Sequence, residues 1–262
     1  MNADIDDQIK KSITERLRTA GCVFAEEEAR LLISEAQTTD ALSDMVGLRI
    51  TGTPLEHVLG WAEFCGNRIA VDPGVFVPRR RTEFLVQKAA ALTVPGAIVV
   101  DLCCGSGAVG VAIAKALGTI ELYAVDMDPT AASCALRNVT TVGGLVYEGD
   151  LYEPLPAKLR GKVDILVANA PYVPTEAIQL LPQDARLYEP MAALDGGNDG
   201  LDIQRRVAKE ASLWLAPGGQ LLIETSERQA PNTVEIFTQN GLIPQLIRND
   251  DLDATIVIGT KP

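Results

Sequence analysis

Asp101-Leu-Cys-Cys-Gly105-Ser-Gly107-Ala-Val-Gly110 is the stretch on which the reading of this 262-residue chain turns. An apolar run, Ile98–Asp101, precedes it and a helical pattern, Ala108–Leu117, follows it, so the glycines sit where a strand turns into a helix. Working outward, further apolar strands are expected at Leu122–Asp126, Leu145–Tyr147, Val163–Ala168 and Gln220–Glu224, with helices such as Pro129–Val142 between them. Nearly continuous apolar strands alternating with helices predict a buried, mostly parallel sheet in an α/β fold. The tail breaks the alternation. Leu242–Ile247 and Ala254–Ile258 are separated only by Asn249–Asp253, which predicts an antiparallel last hairpin.

Gly105, Gly107 and Gly110 satisfy the spacing of a nucleotide-binding loop, and Asp126 ends the next strand, where an acid accepts both hydroxyls of a ribose. Taken alone, that pattern fits NAD and S-adenosylmethionine alike. Asp101, four residues before Gly105, helps to separate them. A carboxylate is awkward beside a pyrophosphate, which wants bare backbone N–H groups, but suits the ammonium and sulfonium charges of S-adenosylmethionine. The antiparallel tail and the acidic total charge lean the same way. Cys103 and Cys104 are small enough to let the backbone approach a ligand, and this explains them without a redox role.

Asn169-Ala170-Pro171-Tyr172 follows the strand Val163–Ala168, on the edge of the sheet where ligands of open α/β folds bind. An amide nitrogen is planar and poorly nucleophilic, so a methyl acceptor of that kind must have its N–H bonds held and its π-face aimed. The Asn169 side-chain oxygen and the Ala170 carbonyl are two acceptors for an NH2 group, and Tyr172 offers a flat face to pack it. These are the candidate catalytic residues.

Composition narrows the alternatives. Lys and Arg total 23 against 35 Asp and Glu, a net charge of −12, which disfavours broad nucleic-acid binding. A single histidine, His57, and five cysteines without a CxxC pair leave no zinc pattern and few arrangements for a nucleophilic triad, so no metal is expected. The polar start, MNADIDDQIKK, and the lack of a long apolar run predict a soluble, cytoplasmic chain without membrane association. Ile5, Ile9, Ile13 and Leu17 predict a first helix ended by Gly21. A second runs from about Phe24, and a third is opened by Thr39 or Asp40. A hairpin or extended linker is expected around Asp72-Pro73-Gly74, and His57 is expected to pack at the domain junction. Glu26-Glu27-Glu28 is taken as an exposed helix face. Arg79-Arg80-Arg81 is either a solvated charge run or a steering patch for an acidic partner or ligand.

The chain resembles the HemK/PrmC family of protein-glutamine amide methyltransferases nearly end to end. The carrying segments are Gly52-Thr-Pro54-Leu55, Leu59-Gly60, Glu63-Phe64, Val77-Pro78-Arg79 through Thr82-Glu83, the glycine loop, Asn169–Tyr172, Glu189-Pro190 with Ala193-Leu194, and Leu222-Ile223-Glu224. The resemblance implies a helical N-terminal substrate-docking domain (1–60), a linking hairpin (61–80) and a class I methyltransferase domain (81–262). It implies that Asp101, Cys103, Cys104, Gly105, Ser106, Gly107, Asp126, Asp150, Leu151 and Asn169 line S-adenosylmethionine. It also implies that Asn169, Ala170, Pro171 and Tyr172 form the glutamine pocket of a monomer acting on a protein such as a peptide-chain release factor. Ala170 replaces the first of two prolines usual in the family, Arg80 stands where proline is usual, and Leu151 stands where some members carry an aromatic residue. The N-terminal region is also short. An amine of a small metabolite or nucleobase is the alternative acceptor, and a non-catalytic donor-binding module is the alternative to an enzyme.

Overall fold

The computed structural model describes residues 3–262, with side chains from residue 7 onward. Four helices come first: α1 (Ala3–Thr19), α2 (Ala25–Glu35), α3 (Thr39–Ile50) and α4 (Leu55–Leu59). Ile13, Leu17, Ala29, Leu32 and Val46 bury themselves in one cluster between them. Each such side chain stabilises the packing by about 1.5–3 kcal/mol for the larger aliphatics. Of the predicted stripe, Ile5 lies outside the described side chains, as do Met1 and Asn2 altogether, while Ile9 is exposed. The cap of α3 is Thr38, one residue before the expected Thr39 or Asp40: its hydroxyl accepts from the Ala41 N–H at 3.1 Å. The acidic run on α2 also divides, because Glu28 is buried and receives Arg49 Nε at 2.7 Å from α3. Glu26 and Glu27 alone form the exposed face.

The hairpin is real but its turn is elsewhere. β1 (Trp61–Phe64) pairs antiparallel with β2 (Asn67–Ala70), and Cys65-Gly66 closes it with both residues at positive φ, 49° and 69°. That backbone twist matches the strands' own and so suits a two-residue loop. Asp72-Pro73-Gly74 makes a second turn, with Val75 N–H on the Asp72 carbonyl and Gly74 at φ 81°, leading into an extended segment. His57 is buried at this junction, its Nε2 2.8 Å from the Val75 carbonyl.

The remaining elements are α5 (Glu83–Leu92), β3 (Ile98–Leu102), α6 (Ala108–Leu117), β4 (Glu121–Asp126), α7 (Pro129–Val139), β5 (Leu145–Glu148), β6 (Val163–Ala168), α8 (Gln183–Tyr188), α9 (Met191–Leu194), α10 (Asp202–Trp214), β7 (Leu215–Thr225), α11 (Ala230–Gln239), β8 (Ile243–Asn249) and β9 (Ala254–Thr260). They build a seven-stranded sheet in the order β5-β4-β3-β6-β7-β9-β8, parallel except at β9. Leu85, Val109, Ile113 and Val139 from α5, α6 and α7 cover one face. Val207, Ala211 and Phe237 from α10 and α11 cover the other. β7 begins earlier than expected, with an irregular register opposite Val163, and α7 stops at Val139 before a short 3-10 turn. β5 departs from the buried pattern: as an edge strand it leaves Leu145 half exposed.

The order matters for function. From β3 the chain winds outward through β4 and β5, then returns to place β6 on the other side of β3. Leu102 and Ala168 are paired in register, so the segments that follow them, beginning at Cys103 and Asn169, diverge from one point at the strands' carboxyl ends. Diverging connections open a crevice there.

Candidate active site

The crevice is a cavity of about 570 Å³ lined by Asp101, Cys103 to Ser106, Asp126, Asp150, Leu151 and Asn169 to Tyr172; of the residues singled out from the two motifs, Gly107 and Gly110 stand outside the lining. Gly107 acts from behind. It sits at φ 76°, and a Cβ there would lie 2.7 Å from Val139 Cγ2, so only glycine lets α6 start this close to α7. Gly110 has a similar task, since a Cβ would meet Leu122 at 2.9 Å and Asp101 at 3.1 Å. Its bare backbone lets its N–H reach Asp101 Oδ2 at 2.9 Å.

The loop's N–H groups are largely engaged within the protein. Gly105 donates to Asp126 Oδ2 at 2.8 Å, Gly110 to Asp101, Gly107 to the Cys104 carbonyl and Cys104 to the Val125 carbonyl. A pyrophosphate would need such donors free, and it would also meet Asp101, Asp126 and Asp150 along the same wall. The donor set fits a phosphate-free nucleoside that carries positive charge. Asp101 is buried to 1% exposure, which pushes its carboxyl up to about 7, with the neighbouring Asp126 charge adding to the effect and the Gly110 N–H opposing it. A cation placed beside it would favour the ionised form. Burial also raises Asp126. Asp150 pairs with Arg206 at 2.7 Å, so it presents a partly neutralised group. Leu151 is buried and strained at φ 49°, and the half-buried Cys103 is likewise strained at φ 55°. Burial and the surrounding carboxylates push the Cys103 and Cys104 thiols far up, which removes the thiolate that redox chemistry would need.

Asn169 is held from outside its own motif. Its Nδ2 is 3.4 Å from Oγ1 of Thr82, a buried hydroxyl just before α5. With the amide nitrogen so directed, Oδ1 is the end left to accept from a ligand. Ala170 and Pro171 are buried beside it. The Tyr172 hydroxyl donates to Glu224 Oε1 at 3.2 Å, and the Tyr172 carbonyl accepts from Gln229 Nε2 at 2.8 Å. Burial and the Glu224 charge raise the Tyr172 phenol well above its ordinary range.

The arginine run is a brace, and the solvated reading fails for two of its three members. Arg79 grips both oxygens of Glu189 at 2.7 Å, and Glu189 also accepts from Val77 N–H at 3.1 Å. The Glu189 side chain is 1% exposed, so this pair ties the linker to the loop that carries α8 and α9 over the cavity. Arg81 reaches Glu224 Oε1 at 3.3 Å. Sequence reasoning left Glu189 without a role and assigned none to Thr82, Gln229 or Asn138. Asn138 on α7 is the bolt between the parts: it donates to the Ala70 and Ser106 carbonyls at 2.8 and 2.9 Å and accepts from Ala70 N–H. Its place one turn below Cys134 on a helix facing the glycine loop was the only available clue.

The methyltransferase small domain family matches residues 66–184. A release factor glutamine methyltransferase of Geobacter sulfurreducens is 37% identical over 223 residues, covering 84% of this chain and 78% of that one. A 4-amino-L-phenylalanine/4-methylamino-L-phenylalanine methyltransferase of Streptomyces pristinaespiralis is 34% identical over 206 residues, covering 74% of this chain and 68% of that one. In structure, the T. thermophilus 16S rRNA N2 G1207 methyltransferase, solved with AdoMet and guanosine, aligns with TM-score 0.54 at 20% identity, over 77% of this chain and 50% of that one. The parallel sheet with its antiparallel β9 is the class I methyltransferase fold. By identity and by coverage of both chains, this chain belongs to the release factor glutamine methyltransferase family.

Proposed function

We propose that the protein transfers a methyl group from S-adenosylmethionine to the side-chain amide nitrogen of a glutamine in a peptide-chain release factor. The observation that carries this is one cavity lined by two unlike sets of groups: the carboxylates Asp101, Asp126 and Asp150 beside the glycine loop, and an amide-reading Asn169-Ala170 pair at the end of β6. The names of the relatives support the acceptor. When bound, S-adenosylmethionine supplies an electrophilic methyl group on a positively charged sulfur. Asp126 accepts from the ribose hydroxyls, each of its oxygens keeping acceptor capacity beyond its bonds to Gly105 and Asp128 N–H. Asp101 would face the positive charge, Asp150 and Leu151 would flank the base, and Cys103 to Ser106 would form the floor.

Asn169 Oδ1 and the Ala170 carbonyl hold the two N–H bonds of the acceptor amide, while the Tyr172 ring packs its plane. Orientation does most of the work. The nitrogen becomes acidic once methylated and loses its proton late, so no strong base is required. The helices α1 to α4, residues 1–60, with their own apolar cluster, are the docking domain for the release factor. The hairpin region 61–80 joins them to the transferase domain 81–262.

A second reading has its own support. Ala170 makes the pocket wall slightly larger and less rigid than proline would, and a relative of similar identity is named for an aromatic amine. A planar arylamine would be held by the same two acceptors. Transfer of labelled methyl to a purified release factor, with a variant lacking the Gly-Gly-Gln glutamine as control, separates the two. Label lost with the control supports the first reading. Label on 4-aminophenylalanine alone supports the second.

A further inference from the structure

Glu224 stands one residue from the end of β7, outside the cavity lining, and is 2% exposed. Its Oε1 gathers two donors from distant segments, the Tyr172 hydroxyl at 3.2 Å and Arg81 Nε at 3.3 Å. Its Oε2 is buried without a partner among the described residues. The Arg81 guanidinium also lies over the Tyr172 ring, 5.8 Å from its centroid. The ring is therefore held at its hydroxyl, at its face and, through Gln229, at its own main-chain carbonyl. An unpaired buried carboxylate oxygen destabilises a fold, and local rules are broken in this way mainly where a site needs the geometry.

We propose that Glu224 is a positioning residue of the acceptor pocket: together with Arg81 it locks the Tyr172 ring as the wall against which the acceptor plane packs. The proposal rests on the reading of Asn169–Tyr172 as the acceptor pocket. Glu224 touches neither ligand and acts through Tyr172. Because Arg81 directly follows the linker, in the short turn before α5, the lock also couples the pocket wall to the point where the linker enters the transferase domain.

The test uses the full chain with Glu224→Gln, which keeps the volume and one acceptor oxygen but removes the charge that Arg81 pairs with, and with Tyr172→Phe. Ring-labelled tyrosine NMR follows Tyr172, its signal assigned by loss in Tyr172→Phe. The expected result is a shifted or broadened Tyr172 ring signal in Glu224→Gln, and an acceptor KM raised about tenfold with donor affinity unchanged. In the Tyr172→Phe background the same change at Glu224 is expected to add less than about twofold, since partners in one network are not additive. An unchanged ring signal, or fully additive losses, would overturn the proposal. A fall in thermal midpoint without a change in acceptor KM would also overturn it, as that is a structural role alone. If the wild-type chain methylates neither acceptor, the functional reading fails, while the ring signal still decides whether Glu224 positions Tyr172.

Discussion

Asp101 and Asp126, on the glycine-loop wall of the cavity, are held by backbone N–H groups 9 and 21 residues away in the chain. Asn169 and Tyr172, on the facing wall, are held by side chains 87 and 52 residues away, from Thr82 and Glu224. The first wall is held by main chain and needs only two adjacent strands with a turn and a helix between them. The second is assembled from the turn before α5, the β6 loop and β7, and exists only when the whole sheet has folded. A wall of the first kind tolerates change elsewhere in the protein; a wall of the second kind is where a family can alter its acceptor while keeping its donor.

The sharpest way to break this comparison is to remove one residue from each wall. Asn169→Ala is expected to lower transfer at least about 100-fold, the scale of losing one well-aimed hydrogen-bonding group in a site, while calorimetry shows donor binding retained. Asp126→Ala is expected to weaken donor binding about tenfold or more, because two ribose hydrogen bonds and the anchor of Gly105 are lost together. If both variants fail in donor binding alone, the two walls are one and the division is wrong.

The same contrast explains what could be read in the chain beforehand. Asp101 to Gly110 and Asp126 were legible because their partners are close in sequence and their spacing is set by a strand-to-helix turn. Asn169 to Tyr172 were legible as a motif, but not what holds them. Nothing in the sequence around Thr82, Glu224 or Gln229 shows that these residues converge, since convergence follows from the strand order. Glu28 was misplaced for a related reason: three consecutive acids look alike until helix packing brings Arg49 to one of them. The hairpin turn was misplaced because Pro-Gly is the stronger signal, whereas Cys65 adopts positive φ without being glycine or asparagine.

Two further measurements sharpen the account of the main-chain wall. Gly107→Ala would put a Cβ 2.7 Å from Val139 at a backbone angle of φ 76°, and is expected to cost about 2 kcal/mol of stability in chemical denaturation, through overpacking and strain together. Stability within about 0.5 kcal/mol of wild type would show that α6 and α7 can part without disturbing the loop. The second concerns Asp101, whose carboxyl burial pushes up to about 7. Its raised value means that the folded chain without ligand holds a proton that the unfolded chain releases near pH 4, so this group's contribution to stability falls as pH rises from about 4 to about 7. Binding of a cationic donor runs the other way, strengthening as the carboxylate forms. Donor affinity is expected to be about tenfold weaker at pH 6 than at pH 8 and to lose that dependence in Asp101→Asn. A flat profile in the wild type would remove Asp101 from the charge-facing role.

The smallest effect is expected where the two readings of the acceptor diverge. Ala170 is buried and its neighbour Asn169 is already fixed by Thr82, so Ala170→Pro changes the stiffness of one link and leaves its carbonyl acceptor in place. Stability is expected to move by less than about 1 kcal/mol, with the lost freedom of the unfolded chain as the favourable part. The informative quantity is the ratio of kcat/KM for a Gly-Gly-Gln protein to that for an arylamine. A stiffer, smaller wall favours the short amide over the ring, so the ratio is expected to rise by about threefold to tenfold, equivalent to about 1 kcal/mol of discrimination. An unchanged ratio would mean that the Tyr172 side of the wall, braced by Glu224 and Arg81, sets the acceptor by itself, and that the alanine at 170 is a neutral departure from the family's two prolines.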